Sequence, residues 1–176
     1  MTMKDYRTIV VGTDGSALAE PTVGRAAWLA KHDDADLVIV CAYSKLSRRD
    51  EAKNVATLGG DSRVGQVLGR NAAGQALSSA VQVATDEGAT VTGALLIDGE
   101  PADALVSAAE EHQADLIVLG AVRDTSLATR LLGSTAEEVT RRVPCDVLIV
   151  RPEQGETEFE VPEDASIDWA DPGAGP

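Results

Sequence analysis

Two short segments carry residue types that could do chemistry together. The first is Gly12-Thr13-Asp14-Gly15-Ser16, where two glycines let the chain turn sharply and Asp14 offers a carboxylate to a sugar or a base. Its spacing is not G-x-G-x-x-G, so it gives no sign of a dinucleotide site, and on its own it also fits a plain turn and helix cap. The second runs from Gly120 through Arg123 to Gly133-Ser134-Thr135. Here a glycine lets the backbone approach a ligand, a hydroxyl stands at a helix start, and the first N–H groups of that helix are free to meet a phosphate. With Arg130 nearby, this makes an anion site. An ordinary glycine turn and cap is the alternative, and Ser134 with Glu137 has the S-x-x-E form of a capping box.

Other reactive groups are sparse. His32 and His112 stand apart at helix ends without neighbouring ligands at metal spacing, and surface or capping roles are expected. Neither lies in an H-x-G-H arrangement, and no G-x-x-x-x-G-K-[S/T] occurs. Asp14 and Asp124 are the carboxylates near the candidate site, and no general base is evident, so binding without catalysis is expected. Arg141 and Arg142 complement a helix C-terminus. Trp28 is expected at a helix–sheet or subunit boundary, and Trp169 exposed.

The elements that must position these residues follow from hydrophobic period. Thr8 to Val11, Leu37 to Val40, Leu116 to Leu119 and Val147 to Val150 are short aliphatic runs that suit strands buried on both faces. Thr90 to Ile97, with more polar interruption, suits a sheet edge. Between them, Ala19, Val23, Ala26, Ala27 and Ala30 mark one amphipathic helix, and Ala73, Leu77, Ala80 and Ala84 a second. A third is predicted from Pro101 to His112 with Leu105, Ala108 and Ala109 inward, and a fourth from Ser134. Strands alternating with helices predict an α/β fold, a doubly wound, mostly parallel five-stranded sheet with helices on both faces. Ligands in such sheets bind beyond the carboxyl ends of the strands. The connection from Ser44 to Leu68 has no legible structure.

Composition sets the outer bounds. A chain of 176 residues fits one domain, and an aromatic content of 3% does not suit a base-stacking platform. The net charge of −14 includes eight carboxylates after Arg151 with no basic residue among them, which leaves −6 for the body. An acidic body argues against nucleic acid as partner. Residues 1–152 are expected to form the domain and residues 153–176 an acidic disordered tail. Cys41 and Cys145 sit at strand-like runs as small hydrophobes. The longest apolar run, Leu37 to Tyr43, is far short of the roughly 18 residues that span a bilayer, so no membrane contact and a cytoplasmic location are expected.

The stretch LIVLGAVRDTSLATRLLGSTAEEVTRRVPCDVLIV, from Leu116 to Val150, resembles the C-terminal signature of the universal stress proteins, whose ATP-binding members show G-x2-G-x9-G-[S/T]. TIVVGTDGS matches their first strand and the Asp that follows it, and the resemblance runs from Tyr6 to Arg151. It implies that Asp14, with the backbone of Gly12 and Thr13, meets the adenosine of a nucleotide, and that Ala42 lies against the adenine. Leu119, Gly120, Gly133, Ser134 and Thr135 would hold ribose and phosphates, beside Arg123 and Arg130. Arg123 replaces the second glycine of the pattern: it either crowds the phosphate loop or donates to a phosphate. The connection after Ala42 is also similar to an actinobacterial branch that binds cyclic AMP. The resemblance thus implies ATP (with Mg) or AMP, or cyclic AMP, bound by a regulatory homodimer in stress response. The dimer pairs along the last strand, Cys145 to Arg151, and is read by an unknown protein partner. A ligand-free dimeric interaction protein and a slow ATPase are the alternatives.

Overall fold

The computed structural model describes residues 5–44, 67–121 and 133–151. The chain runs through β1 (Thr8–Gly12), α1 (Ala19–Asp33), β2 (Asp36–Ser44), β3 (Val67–Leu68), α2 (Arg70–Asp86), β4 (Thr90–Asp98), α3 (Pro101–Glu111), β5 (Leu116–Gly120), α4 (Ser134–Arg142) and β6 (Asp146–Val150). The long strands order as β4-β2-β1-β5-β6 and every pairing is parallel. The sheet is therefore wholly rather than mostly parallel. The two-residue β3, which pairs Val67 with Tyr43 and Leu68 with Ser44, adds a sixth strand at the end of the connection that the sequence left blank.

β1, β2 and β5 carry near-continuous aliphatic runs because both their faces are covered. On one face Ile9, Val11, Ile39 and Val118 meet the Ala-rich stripe of α1 (Val23, Ala26, Ala27, Ala30) and the stripe of α2 (Ala73, Leu77, Ala80, Ala84). On the other, Val10, Val38, Val40 and Ile117 meet Leu105, Ala108 and Ala109 of α3 and Val139 of α4. Small alanines let the helices lie close to the sheet. β2 continues past its predicted end to Ser44, since Cys41, Ala42 and Tyr43 are buried as well. β4 lies at one edge with alternating exposure, as its interrupted sequence suggests, and β6 lies at the other.

The amino ends of the strands are tied by side chains. Asp115 accepts the N–H groups of Arg7 (2.8 Å) and Thr8 (3.2 Å), Asp33 accepts that of Tyr6 (3.1 Å), and the Tyr6 hydroxyl donates to Asp146 (3.1 Å). The carboxylates raise the Tyr6 phenol above its ordinary pKa, after burial as the first cause. Among the described residues no helix is long and apolar enough to cross a membrane.

Two local expectations change, and a third, the place of Arg142 at the end of its helix, holds with added contacts. Ser134 does not cap α4: Gly133, in extended conformation (φ −67°, ψ 161°), is the N-cap, its carbonyl accepts the Glu137 N–H at 3.0 Å, and no side-chain cap bond is made. Ser134 is already helical, so the Ser134–Glu137 capping box has no extended residue from which to form. Trp28 is not packed between helix and sheet; it is half exposed and stacks on His32, one turn on, at a centroid distance of 5.5 Å. Arg142, beyond its place in the last turn of α4, donates to Asp103 (2.6 Å) and Glu138 (3.0 Å). His32 and His112 do sit at helix ends, His32 against the Asp33 carboxylate at 3.0 Å, which holds that carboxyl below its ordinary pKa.

Candidate functional site

From β1 the chain steps outward to β2 and β4, then returns to the other side of β1 as β5. Such a reversal opens a crevice at the carboxyl ends of the two strands. A cleft of about 420 Å³ lies there.

The loop after β1 forms one wall. Thr13, 8% exposed, donates its N–H to the Val40 carbonyl at 2.9 Å and extends the ladder by one bond. Asp14 then turns the chain by accepting the Ser16 N–H at 2.9 Å, an Asx-type bond. Gly15 follows with φ +72°, and a Cβ there would stand 2.8 Å from that of Ala76. The turn therefore requires glycine both for its backbone angle and for its closeness to α2.

β2 outruns β1 and supplies the back of the cleft. Val40 and Ser44 present their carbonyls to Thr13 and Gly69 respectively. Ala42, midway between them, turns its backbone the same way, into the gap between the end of β1 and the start of β3. Ala42 lines the cleft with Val40.

β5 and α4 form the opposite wall. Leu119 and Gly120 end β5, and a Cβ at Gly120 would lie 2.9 Å from the Thr22 hydroxyl oxygen. Thr22 is itself fixed, since its hydroxyl donates to the Leu18 carbonyl at 2.7 Å. Gly133, Ser134, Thr135 and Ala136 bring the N-terminus of α4 to the same cleft. The first N–H groups of a helix have no intrahelical acceptor and carry about half a positive charge between them. Ser134 is exposed there, released from the capping role expected of it.

Nine of the eleven candidate residues thus meet around one cleft: Gly12, Thr13 and Asp14 from the first loop, Ala42 from β2, Leu119 and Gly120 from β5, and Gly133, Ser134 and Thr135 from α4. Arg123 and Arg130 lie outside the described residues, as do Asp124, Trp169 and the acidic tail. The sequence reading missed the apolar side of the cleft, formed by Leu18, Thr22, Pro101 and Leu105. Of these the helix period marks only Leu105, as core, and only the fold brings it to within 3.3 Å of a Cβ on Gly12.

Chemically the cleft has an apolar floor, one carboxylate and a helix start. Asp14 is the only ionisable side chain among its described lining residues, and one carboxylate oxygen is already held by Ser16. Behind it Cys41, fully buried in the opposite core layer, has its thiol pushed up to about 11 by burial, with the Asp14 charge adding to the effect. No group of three or more His, Cys, Asp or Glu able to hold a metal occurs among the described residues.

Comparison with known proteins agrees with this architecture. The model of the Universal stress protein family matches residues 5–151. A universal stress protein of Mycobacterium tuberculosis (strain H37Rv) is 41% identical over 148 residues, 84% of this chain and 98% of the relative. The crystal structure of a universal stress protein in complex with cAMP is similar with a TM-score of 0.62 and 36% identity, over 85% of this chain and 100% of that one. The universal stress protein of Archaeoglobus fulgidus in complex with dAMP gives a TM-score of 0.58 and 25% identity, over 83% of this chain and 98% of that one. With its sheet order, its carboxyl-end cleft and a family match over nearly all described residues, this chain belongs to the universal stress protein family.

Proposed function

We propose that the chain is an adenine-nucleotide-binding regulatory module, not an enzyme, and that it acts in stress response as a homodimer read by a protein partner. The observation that carries this reading is the convergence of Asp14, the Ala42 backbone, Gly120 and the start of α4 on one cleft at the strand reversal. Adenine fits between the apolar side, where Leu105 and Leu119 stand, and the backbone of Ala42. The ribose meets Asp14, and a phosphate meets the N–H groups and hydroxyls of Ser134 and Thr135.

Binding without turnover is favoured because Asp14 is the one carboxylate in the described lining, and the Ser16 N–H already holds one of its two oxygens. Hydrolysis needs a group free to orient water and normally a metal held by carboxylates. Cyclic AMP and AMP are favoured over ATP. Structures of family members with cAMP and dAMP are among the neighbours, and a ligand with one phosphate needs only the helix start, with no cradle at position 123. Dimerisation along β6 would give that edge strand a partner.

Acid extraction of the purified protein followed by chromatography, then calorimetric titration with ATP, AMP and cyclic AMP, tests the reading. Co-purified adenine nucleotide or micromolar binding of one of the three is expected. No bound nucleotide and no heat at millimolar ligand would leave a ligand-free interaction protein in its place.

A further inference from the structure

The outward side of α1 carries a face that the cleft does not use. Trp28 is the one large hydrophobic residue exposed among those described. A single exposed apolar side chain is ordinary on a protein surface, but its surroundings set this one apart. Side chains on a helix lean toward the preceding turn, which would lay the Trp28 ring over Gly24. The ring stacks instead on His32, one turn onward, with centroids 5.5 Å apart. A Cβ at Gly24 would meet no atom within 4 Å, so the turn before Trp28 is an open notch beside an aromatic ring. Arg25, exposed, borders the notch; Lys31, also exposed, stands on the flank toward α2, its ammonium 3.3 Å from where a Cβ on Gly88 would lie. Neither takes part in an ion pair among the described residues.

Charge says what this face fits. From Pro21 to His32 the helix holds Arg25, Lys31 and His32 and no carboxylate, on a chain whose net charge is −14. α3 and α4, by contrast, present Asp103, Glu110, Glu111 and Glu137 to solvent. Arg25 and Lys31 stand three residues to either side of Trp28, about 9 Å apart along the helix axis. We propose that this face of α1 docks an acidic peptide segment of another protein: an apolar side chain of that segment enters the notch at Gly24 against Trp28, and carboxylates flanking it pair with Arg25 and Lys31. Trp and Arg are the residue types that most often carry the energy of such contacts, and a cationic face on an acidic body steers an acidic partner to that face. The inference rests on the function proposed above, since it gives the protein partner of that reading a surface and a chemistry. Ala19 and Thr22, at the start of the same helix, line the nucleotide cleft, so one element serves both surfaces.

The test titrates the full chain into a fluorescein-labelled helical peptide of the pattern Glu-x-x-Leu-x-x-Glu, with alanine and glutamine at the other positions, and reads anisotropy. A dissociation constant of about 10–100 μM is expected at low salt, weakening severalfold toward about 0.3 M sodium chloride as the charge pairs are screened. Trp28→Ala should weaken binding about tenfold or more. The doubly reversed variant Arg25→Glu, Lys31→Glu should lose this peptide and bind its counterpart with lysines in place of the glutamates, an exchange that misfolding cannot produce. Arg141→Glu, a reversal on exposed α4, should leave the affinity within about twofold. Equal affinity of the unaltered chain and Trp28→Ala, or no binding at about 1 mM peptide, overturns the docking face. So does binding of phosphatidylglycerol vesicles without binding of peptide, which would make the face a membrane contact, or a solution mass that falls from two chains to one in Trp28→Ala, which would make it a contact between copies. Titration of the same proteins with AMP and cyclic AMP keeps the two readings apart: nucleotide bound without peptide removes the docking face alone, and peptide bound in the charge-dependent manner without nucleotide removes the nucleotide reading and upholds the face.

Discussion

A Cβ added at Gly120 would lie 2.9 Å from the Thr22 hydroxyl oxygen, which is itself pinned to the Leu18 carbonyl, so neither partner can yield freely. Gly120→Ala is therefore expected to cost about 1–3 kcal/mol in urea unfolding. Combined with Thr22→Ala, which removes the obstructing oxygen, the loss should fall short of the sum of the single losses by about 0.5 kcal/mol or more. A second residue-scale expectation concerns Cys41. Its thiol titrates at about 11 in the folded chain against 9.0 ordinarily, so between those values the unfolded chain sheds a proton that the folded one retains. Stability should fall as pH rises from 9.0 to about 11, and Cys41→Ala should flatten that fall in denaturant titrations. Burial raises the Cys145 thiol too, so the slope should lessen without vanishing. Gly12 and Asp14 could be picked from sequence because a glycine and a carboxylate close the first strand run, and Gly133 because it precedes two hydroxyl residues at a helix start. Thr22 could not, since a threonine among Ala19, Val23 and Ala26 looks like any helix-face residue until Gly120 is placed against it.

At the scale of elements, α4 separates structural from functional roles. Had Ser134 capped the helix, Ser134→Ala would cost about 1 kcal/mol. With Gly133 as N-cap, the substitution should change stability by less than about 0.5 kcal/mol, yet weaken AMP or cyclic AMP by about threefold or more through a lost phosphate hydrogen bond. Thermal melts with and without ligand check both. The helix stripes were legible residue by residue, since Ala19, Val23, Ala26, Ala27 and Ala30 and then Ala73, Leu77, Ala80 and Ala84 are buried where a 3.6-residue period puts them. The position of the cap was not, because it depends on whether Gly133 or Ser134 leaves the extended region first. That choice leaves no mark in their spacing. β3 was equally hidden, as two residues have no period to detect.

For the whole molecule, the order β4-β2-β1-β5-β6 could be anticipated as a doubly wound sheet, but its switch point could not, because strand order is a property of long-range pairing. The apolar side of the cleft is a product of that order: Thr22 and Leu105 are distant in sequence and adjacent only because α1 and α3 pack beside β1 on opposite faces. The dimer proposed along β6 predicts a solution mass by light scattering of about twice the 18.3 kDa of the chain, and a mass of one chain would contradict it. Nitrogen-15 amide mapping of the full chain titrated with cyclic AMP and with AMP tests the location of the site most directly. Saturable shifts are expected at Gly12 to Asp14, Ala42, Gly120 and Gly133 to Thr135, with the amino-end residues Tyr6 to Thr8 unmoved. Saturable shifts confined to other surfaces, or none at millimolar nucleotide, would contradict an adenine ligand held at the reversal between β1 and β5.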